Sequence, residues 1–186
     1  MLQKIWKDNI LWDRKDEDNM KMKFLNCQFS YAAAVFVCIE YADVVRVNLS
    51  AAKSRVAIAK VKTININRFE LLAATVGARL CKSVLRALQW DNVKQHYWTD
   101  SITVLGWSQR EELWSVFVNN RVQEIRKMTD PTFLKNLPGA QNPADVPSRG
   151  CSAHQLFSRW WEGPKSLLHT EENWPVTNPA LKNSLF

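Results

Sequence analysis

Residues 68–89, RFELLAATVGARLCKSVLRALQ, divide the chain into two regions with different patterns. Apolar residues recur here every three or four positions, at Phe69, Leu72, Val76, Leu80, Val84 and Leu88. That spacing is typical of the buried stripe of an amphipathic helix of several turns. Asn67, just before the stretch, is a suitable N-cap residue. The sequence therefore predicts a long helix at the middle of the fold.

The region before this helix has the pattern of β-strands. Residues 24–39 form a run rich in Tyr, Phe, Val and Ala, which is typical of a strand buried on both faces. Val45, Val47 and Leu49 alternate with polar residues, as in a half-buried strand. A third strand is predicted from Arg55 to Val61. We therefore expect a three-stranded antiparallel meander over residues 24–62.

After the long helix, short strands and helices alternate. The predicted elements are a strand from Gln95 to Thr99, helices over 101–109 and 116–128, a strand from Thr132 to Leu137, and a helical segment beginning at Asn142-Pro143. Three antiparallel strands followed by alternating helices and strands indicate an α/β fold with one mixed sheet and helices packed on it.

The length of 186 residues suits one domain with terminal extensions. We expect an N-terminal helix and charged connector over residues 1–23, the domain over 24–150, and a Trp- and Pro-rich extension over 151–186. The N-terminus lacks the apolar core of a signal peptide, and the longest apolar run, Tyr31 to Ile39, is far shorter than the ~20 residues of a membrane helix. We therefore expect an intracellular protein of the cytoplasm or nucleus that has no membrane partner.

The whole chain has a formal net charge of +7, and its positive charge is concentrated in one part of the sequence. Six cations and no acid occur between Val44 and Phe69: Arg46, Lys53, Arg55, Lys60, Lys62 and Arg68. A basic balance of this kind favours an anionic partner such as nucleic acid. A solvated strand face is an equally good interpretation of the pattern.

Three acidic residues lie outside the charged connector and the predicted helix surfaces. Glu70 opens the long helix, Asp100 ends a strand, and Asp145 lies in the first turn of the last helical segment. Carboxylates that converge from strand and helix ends suit hard divalent cations, and a pair of such ions can drive phosphodiester hydrolysis. Each acid also has a purely structural interpretation, because Glu70 is spaced for a capping box with Asn67, Asp100 for a cap, and Asp145 for the helix dipole.

Several segments together resemble a known family. The strings NINRFELLAATVGARL, YWTDSITVLGW, FVNNRVQEIRKMTDP, LPGAQNPADVPSRG and WWEGP resemble, in order and spacing, the ribonuclease H-like region of BEL/Pao-type retrotransposon polyproteins, from about residue 31 to 168. The same region is also labelled a Pao retrotransposon peptidase, but the chain has no Asp-Thr-Gly or Asp-Ser-Gly motif of an aspartic protease.

The resemblance implies a ribonuclease H fold and a hydrolase of RNA in RNA–DNA hybrids that uses two Mg²⁺ or Mn²⁺ ions. It also implies that Glu70, Asp100 and Asp145 are catalytic residues and metal ligands. The partners it implies are an RNA–DNA hybrid or duplex and the reverse transcriptase and integrase regions of the same polyprotein. Residues 1–23 would then be a remnant of the upstream polyprotein segment.

The chain departs from the family at the first strand. Where the family carries an Asp-Ala-Ser block, this chain has FLNCQFS over residues 24–30, which places Leu25 or Asn26 at the position of the acid. Because that carboxylate lies between the two metals in such sites, we expect weak metal binding and little or no hydrolysis. A non-catalytic nucleic-acid-binding module and a non-functional remnant of a mobile element are the alternatives.

Overall fold

The structure is a computed structural model that describes residues 30–41, 44–56, 66–90, 92–146, 154, 160–169 and 171–174. The predicted N-terminal helix, the charged connector and the first-strand positions Leu25 and Asn26 lie outside these ranges.

A long β-hairpin begins the described chain. Its strands, β1 (Ser30–Tyr41) and β2 (Val44–Val56), are antiparallel and pair from Ser30 with Val56 to Tyr41 with Val44. The predicted alternation in β2 is confirmed, because Val45, Val47 and Leu49 are half-buried while their polar neighbours are exposed. One irregularity interrupts the register, where Val35 pairs with Ala51 and Phe36 with Leu49, so that Ser50 is an extra residue in β2.

The two faces of the hairpin pack against different parts of the chain. On one face, Tyr31 stacks on Phe69 of the long helix, with ring centroids 6.1 Å apart. On the opposite face, Phe36 and Val47 lie against Gly163, where an added Cβ would be 2.9 Å from the Phe36 ring. Gly163 also has a φ of +72°, which a residue with a side chain rarely adopts. The C-terminal segment therefore covers one face of the hairpin and the helix covers the other.

The long helix α1 (Ile66–Leu88) matches the predicted one in position and length. Its fully buried residues are Leu71, Thr75 and Ala78, whereas the predicted stripe is mostly half-buried and Leu88 is exposed. The stripe is displaced because α1 packs on a helix as well as on β1. The buried hydroxyl of Thr75 is not left without a hydrogen-bond partner, since it donates to the Leu71 carbonyl at 2.8 Å.

The second half of the described chain contains two helices and a short parallel sheet. Helices α2 (Ile102–Gln109) and α3 (Val116–Met128) lie as predicted, and β3 (Tyr97–Thr99) pairs in parallel with β4 (Leu134–Asn136). The inward residues predicted for α3 are confirmed. They form the main core with α1 and α2, which comprises Leu71, Val104, Val118, Val122 and Ile125.

The predicted three-stranded meander is not confirmed. Arg55 and Val56, expected to open a third strand, belong to β2, and residues 57–61 lie outside the described ranges. Strand β2 is longer than predicted because its pairing with β1 continues past the extra residue Ser50. Within the described residues, the chain is a mixed α/β structure with a two-stranded antiparallel sheet and a two-stranded parallel one, not a single mixed sheet.

The described residues of the C-terminal part include four short turns of 3-10 helix. These are Gly139–Gln141, Pro143–Asp145, Lys165–Leu168 and Glu171–Asn173. Leu167 and Trp174 are buried and attach the last two turns to the rest of the chain. A search of the described helices finds none with the length and apolarity needed to cross a bilayer.

Candidate active site

Asp100 follows the last residue of β3 and precedes the first turn of α2. The N-cap of α2 is Ser101, whose side-chain oxygen accepts the backbone N–H of Val104 at 3.2 Å. The alternative interpretation of Asp100 as the cap of this helix is therefore wrong. Asp100 is half-buried and is available for another role.

Glu70 lies in α1 and is also half-buried. Because the helix begins at Ile66, Asn67 is inside the first turn and is not the N-cap, so the prediction of Asn67 as the cap is wrong. The capping-box interpretation of Glu70 fails with it, since the box requires the cap three residues before the acid.

Asp145 ends the 3-10 turn Pro143–Asp145, which packs against β1. Asn142 caps this turn, because its side-chain oxygen accepts the backbone N–H of Ala144 at 3.0 Å. The Asn-Pro pair that indicated a helix start thus produces a short 3-10 turn, and the chain after Val146 lies outside the described ranges until His154.

Asp100 and Asp145 act electrostatically on Glu70. Burial raises the pKa of the Glu70 carboxyl above its usual range, and the negative charges of Asp100 and Asp145 raise it further. A hydrogen bond with the Ser101 side chain opposes these effects and lowers the pKa. Carboxylates from a strand end and a 3-10 turn therefore contribute to the electrostatic environment of the helical Glu70.

The fit of this cluster to a divalent cation is incomplete. Its carboxylate oxygens are the donors that Mg²⁺ and Mn²⁺ prefer. However, within the residues that the structure describes, no group of three His, Cys, Asp or Glu side chains is placed so that it could hold a metal ion. The donor chemistry suits a cation, but the arrangement of these side chains does not form a metal site.

The end of β4 fixes the position of Asp100 from the other side. The carbonyl of Thr99 accepts the backbone N–H of Leu137 at 2.9 Å and the side-chain amide of Asn136 at 3.2 Å. The next turn then passes so close that a Cβ added to Gly139 would be 3.4 Å from the Asp100 carboxylate oxygen Oδ2. The Asp100 side chain therefore lies in a narrow space between two strand ends.

Three of the six predicted phosphate-binding cations lie on one face of the hairpin. Arg46, Lys53 and Arg55 are all exposed, and they pair with Ile39, Ala33 and Tyr31 of β1. Directly opposed residues share a face, and the odd-numbered positions of β1 point to the α1 side. The three cations therefore form a row, the hairpin row, on the same side of the sheet as α1.

The other three predicted cations are placed differently. Lys60 and Lys62 lie outside the described ranges. Arg68 is half-buried in the first turn of α1, and its guanidinium carbon is 5.3 Å from the centre of the Phe117 ring. Part of its surface is thus packed against an aromatic side chain of α3.

Two residues that bear on the site escaped the sequence analysis. Ser101 caps α2 and bonds with Glu70, and Gly139 approaches Asp100. A serine directly before an apolar helical segment is a recognisable cap signal. For Gly139 the sequence holds no signal beyond the Pro-Gly turn, because the approach depends on how the strands pair.

A comparison with known protein families gives a match that covers the first part of the candidate site. Residues 26–101 match the family model described as the Pao retrotransposon-like RNaseH-like domain. The match includes Glu70 and Asp100 and ends before Asp145. Searches of curated proteins and of solved structures give no match. The family match confirms the resemblance found in the sequence, because residues 26–101 are similar to the Pao retrotransposon-like RNaseH-like domain family.

Proposed function

We propose that this chain is a retrotransposon-derived ribonuclease H-like domain that binds nucleic acid and whose hydrolysis of RNA in RNA–DNA hybrids is impaired or lost. The observation that carries the proposal is the effect of Asp100 and Asp145 on the pKa of Glu70. Acids from three separate elements contribute to this environment, and the resemblance implies that they are the family's acids and that Leu25 or Asn26 replaces the acid of the first strand.

The loss of activity follows from the charge of the site. Ribonuclease H-like domains use divalent metals, and a carboxylate between two cations offsets their mutual repulsion. A leucine or an asparagine there supplies no negative charge, so the remaining acids would hold Mg²⁺ or Mn²⁺ weakly.

A cleavage assay tests this part of the proposal. The purified chain is given Mg²⁺ or Mn²⁺ and a labelled RNA–DNA hybrid, and we expect no cleavage above background. Because the alignment leaves two candidate positions, Leu25→Asp and Asn26→Asp are both prepared, and one of them should restore cleavage. Robust cleavage by the unaltered chain that disappears in Asp100→Asn would contradict the proposal. Failure of both restored variants would show that more than this acid has been lost.

The hairpin row supports the nucleic-acid part of the proposal. Arg46, Lys53 and Arg55 are exposed on one face, and the described part of β2 contains no acid that would neutralise them. Each phosphate contact releases counterions, which makes affinity fall steeply with salt. The row lies on the side of the sheet that carries α1, and α1 carries Glu70, so a strand bound along the row would pass beside the acids.

Binding is measured with a fluorescent hybrid over a range of salt concentrations. Replacing Arg46, Lys53 and Arg55 together by Gln should weaken binding and reduce the slope of log affinity against log salt by about 3, since each contact contributes about 0.9. The matched control replaces three exposed cations on the helices, Lys82, Arg86 and Lys127, by Gln. An equal loss in both triple variants would mean that net charge alone drives binding.

The alternatives give different results in the same experiments. A pure binding module would bind hybrid with strong salt dependence and would not regain cleavage in either restored variant. A non-functional remnant would show neither binding nor a cooperative thermal unfolding transition. We further propose the division into residues 1–23, 24–150 and 151–186, an intracellular location in cytoplasm or nucleus, and reverse transcriptase and integrase regions as neighbours in one polyprotein.

A further inference from the structure

An aromatic cluster joins the C-terminal segment to β3. His96 lies directly before the strand. Its ring stacks on Trp98, with ring centroids 5.8 Å apart, and it packs edge to face with Trp174, with ring centroids 4.8 Å apart. The centroid of the Phe133 ring lies 6.4 Å from that of His96, and the ring centroids of Trp98 and Trp174 are 5.4 Å apart. Trp174 ends the described chain, so this cluster attaches residues 171–174 to the parallel sheet, whereas Lys165–Leu168 contacts β2 of the hairpin.

The surroundings of His96 in this cluster favour its neutral imidazole. Its side chain is only 9% exposed, and within the described residues its Nδ1 atom is buried with no hydrogen-bond partner. Nε2 lies 3.8 Å from a carboxylate oxygen of Glu171, which is beyond hydrogen-bond distance. A proton added to Nδ1 would create a buried charged donor without an acceptor, and such a group is costly.

The charged groups around the ring act in opposite directions. Burial is the largest influence and lowers the pKa of His96, while Glu171 raises it. Lys94, just before the strand, and Lys135 of β4 lower it further. Lys94 also forms an ion pair with Glu171, which draws that carboxylate away from an exclusive pairing with His96.

Ring packing and an ion pair join the C-terminal turn to the region of β3. Residues 171–174 contact this region through the ring of Trp174 and through the Lys94–Glu171 ion pair, whose side chains are 62% and 38% exposed. An exposed ion pair of this kind is weak, because solvent screens it. The indole N–H of Trp174 donates to the carbonyl of His169, so this hydrogen bond does not reach the parallel sheet.

We propose that residues 171–174 form a pH-sensitive strap, held on the parallel sheet while His96 is neutral and released when His96 takes up a proton. Releasing the strap admits water to Nδ1 and gives the new N–H an acceptor. His96, which the strap contacts, lies four residues before Asp100 along the chain, so the state of the strap affects the segment that leads to the candidate site. The proposal does not depend on nuclease activity.

The sign of the pH effect follows from linkage. Because the pKa of His96 is lower in the closed state than in the open one, closure is fully favoured above the ordinary histidine value of ~6.5. It weakens as the pH falls from that value through the pKa of the closed state. One proton is involved, so the opening equilibrium rises by at most about tenfold for each pH unit in this window.

Hydrogen–deuterium exchange of the full chain, corrected for intrinsic rates, tests the strap at about pH 7.5 and about pH 5, which bracket the histidine titration. Protection of the strap should fall severalfold at the lower pH, while protection of α1 should not. His96→Phe keeps an aromatic ring that cannot be protonated and should make protection of the strap the same at both values. The matched control His169→Phe replaces an exposed histidine near the strap and should behave as the unaltered chain.

A second variant keeps the test decisive if His96→Phe packs poorly. Glu171→Gln removes a described neighbour that favours the charged ring, so the ratio of protection between the two pH values should become larger. Equal protection of the unaltered chain at both values would overturn the proposal. So would an undiminished pH effect in His96→Phe.

Discussion

The buried hydroxyl of Ser101 connects helix α2 to Glu70. It accepts the backbone N–H of Val104 at 3.2 Å, and a hydrogen bond between the same side chain and Glu70 lowers the pKa of that carboxyl. A hydroxyl can do both at once, because it accepts through a lone pair and donates its proton. The residue next to Asp100 therefore stabilises the helix behind the site and the ionised form of the acid in front of it.

Replacing Ser101 by Ala should reduce the free energy of unfolding by about 1 kcal/mol, the usual cost of losing an N-cap side chain. Urea denaturation measures the change. Ser115→Ala is the matched control, since Ser115 occupies the N-cap position of α3 without a side-chain capping bond. That variant should stay within about 0.5 kcal/mol of the unaltered chain. Equal losses at both positions would argue against the capping role.

Glu70→Gln should stabilise the folded chain near neutral pH. The pKa of Glu70 is raised in the fold by burial, Asp100 and Asp145, so its ionised form is less favourable there than in the unfolded chain. The penalty is complete above the folded pKa and disappears as the pH falls to the unfolded value of ~4.3. The gain in Glu70→Gln should therefore vanish in acid.

Thermal unfolding followed over the pH range checks this sign. The control is Glu172→Gln, which changes an exposed glutamate outside the site. A gain in Glu70→Gln that persists in acid would show that it comes from packing and not from charge.

Leu71→Ala should cost about 2–5 kcal/mol of unfolding free energy, as large-to-small changes in a core do. Leu71 is fully buried at the centre of the α1, α2 and α3 core. Leu113→Ala removes the same atoms from a side chain that is completely exposed and should change stability by less than about 0.5 kcal/mol. Similar costs at the two positions would mean that this core is not formed.

The ion pair between Arg79 of α1 and Glu124 of α3, at 2.5 Å, should contribute about 0.2–1 kcal/mol in a double-mutant cycle of the two alanine variants. Hydrogen bonds from Arg79 and Arg121 lower the pKa of Glu124. The contribution is therefore present above the unfolded value of ~4.3 and is lost as the pH falls through the folded pKa. The coupling energy should also decrease with added salt, and an unchanged value at high salt would contradict this assignment.

Much of the second half of the fold could be predicted from the sequence. The apolar period of α3 depends only on neighbouring residues, so Val118, Val122 and Ile125 were predicted inward and are buried. The same reasoning misplaced the buried stripe of α1, because that helix has two partners and the sequence does not say which face meets which. The sequence offered Asp100 as the N-cap of α2, and the structure has Ser101 there. This is a shift of one residue, which is within the ordinary uncertainty of a helix boundary.

For the candidate site, the sequence alone determined which acids stand at strand and helix ends, that residues 24–30 contain no acid, and that cations are concentrated between Val44 and Phe69. Only the tertiary structure decided how these groups face one another. Arg46 and Lys53 are seven residues apart, so simple alternation would place them on opposite faces of a strand. The extra residue Ser50 shifts the register and returns Lys53 and Arg55 to the face of Arg46. Which side a side chain faces depends on strand pairing and on the elements packed against the strand, and neither is a local property of the sequence.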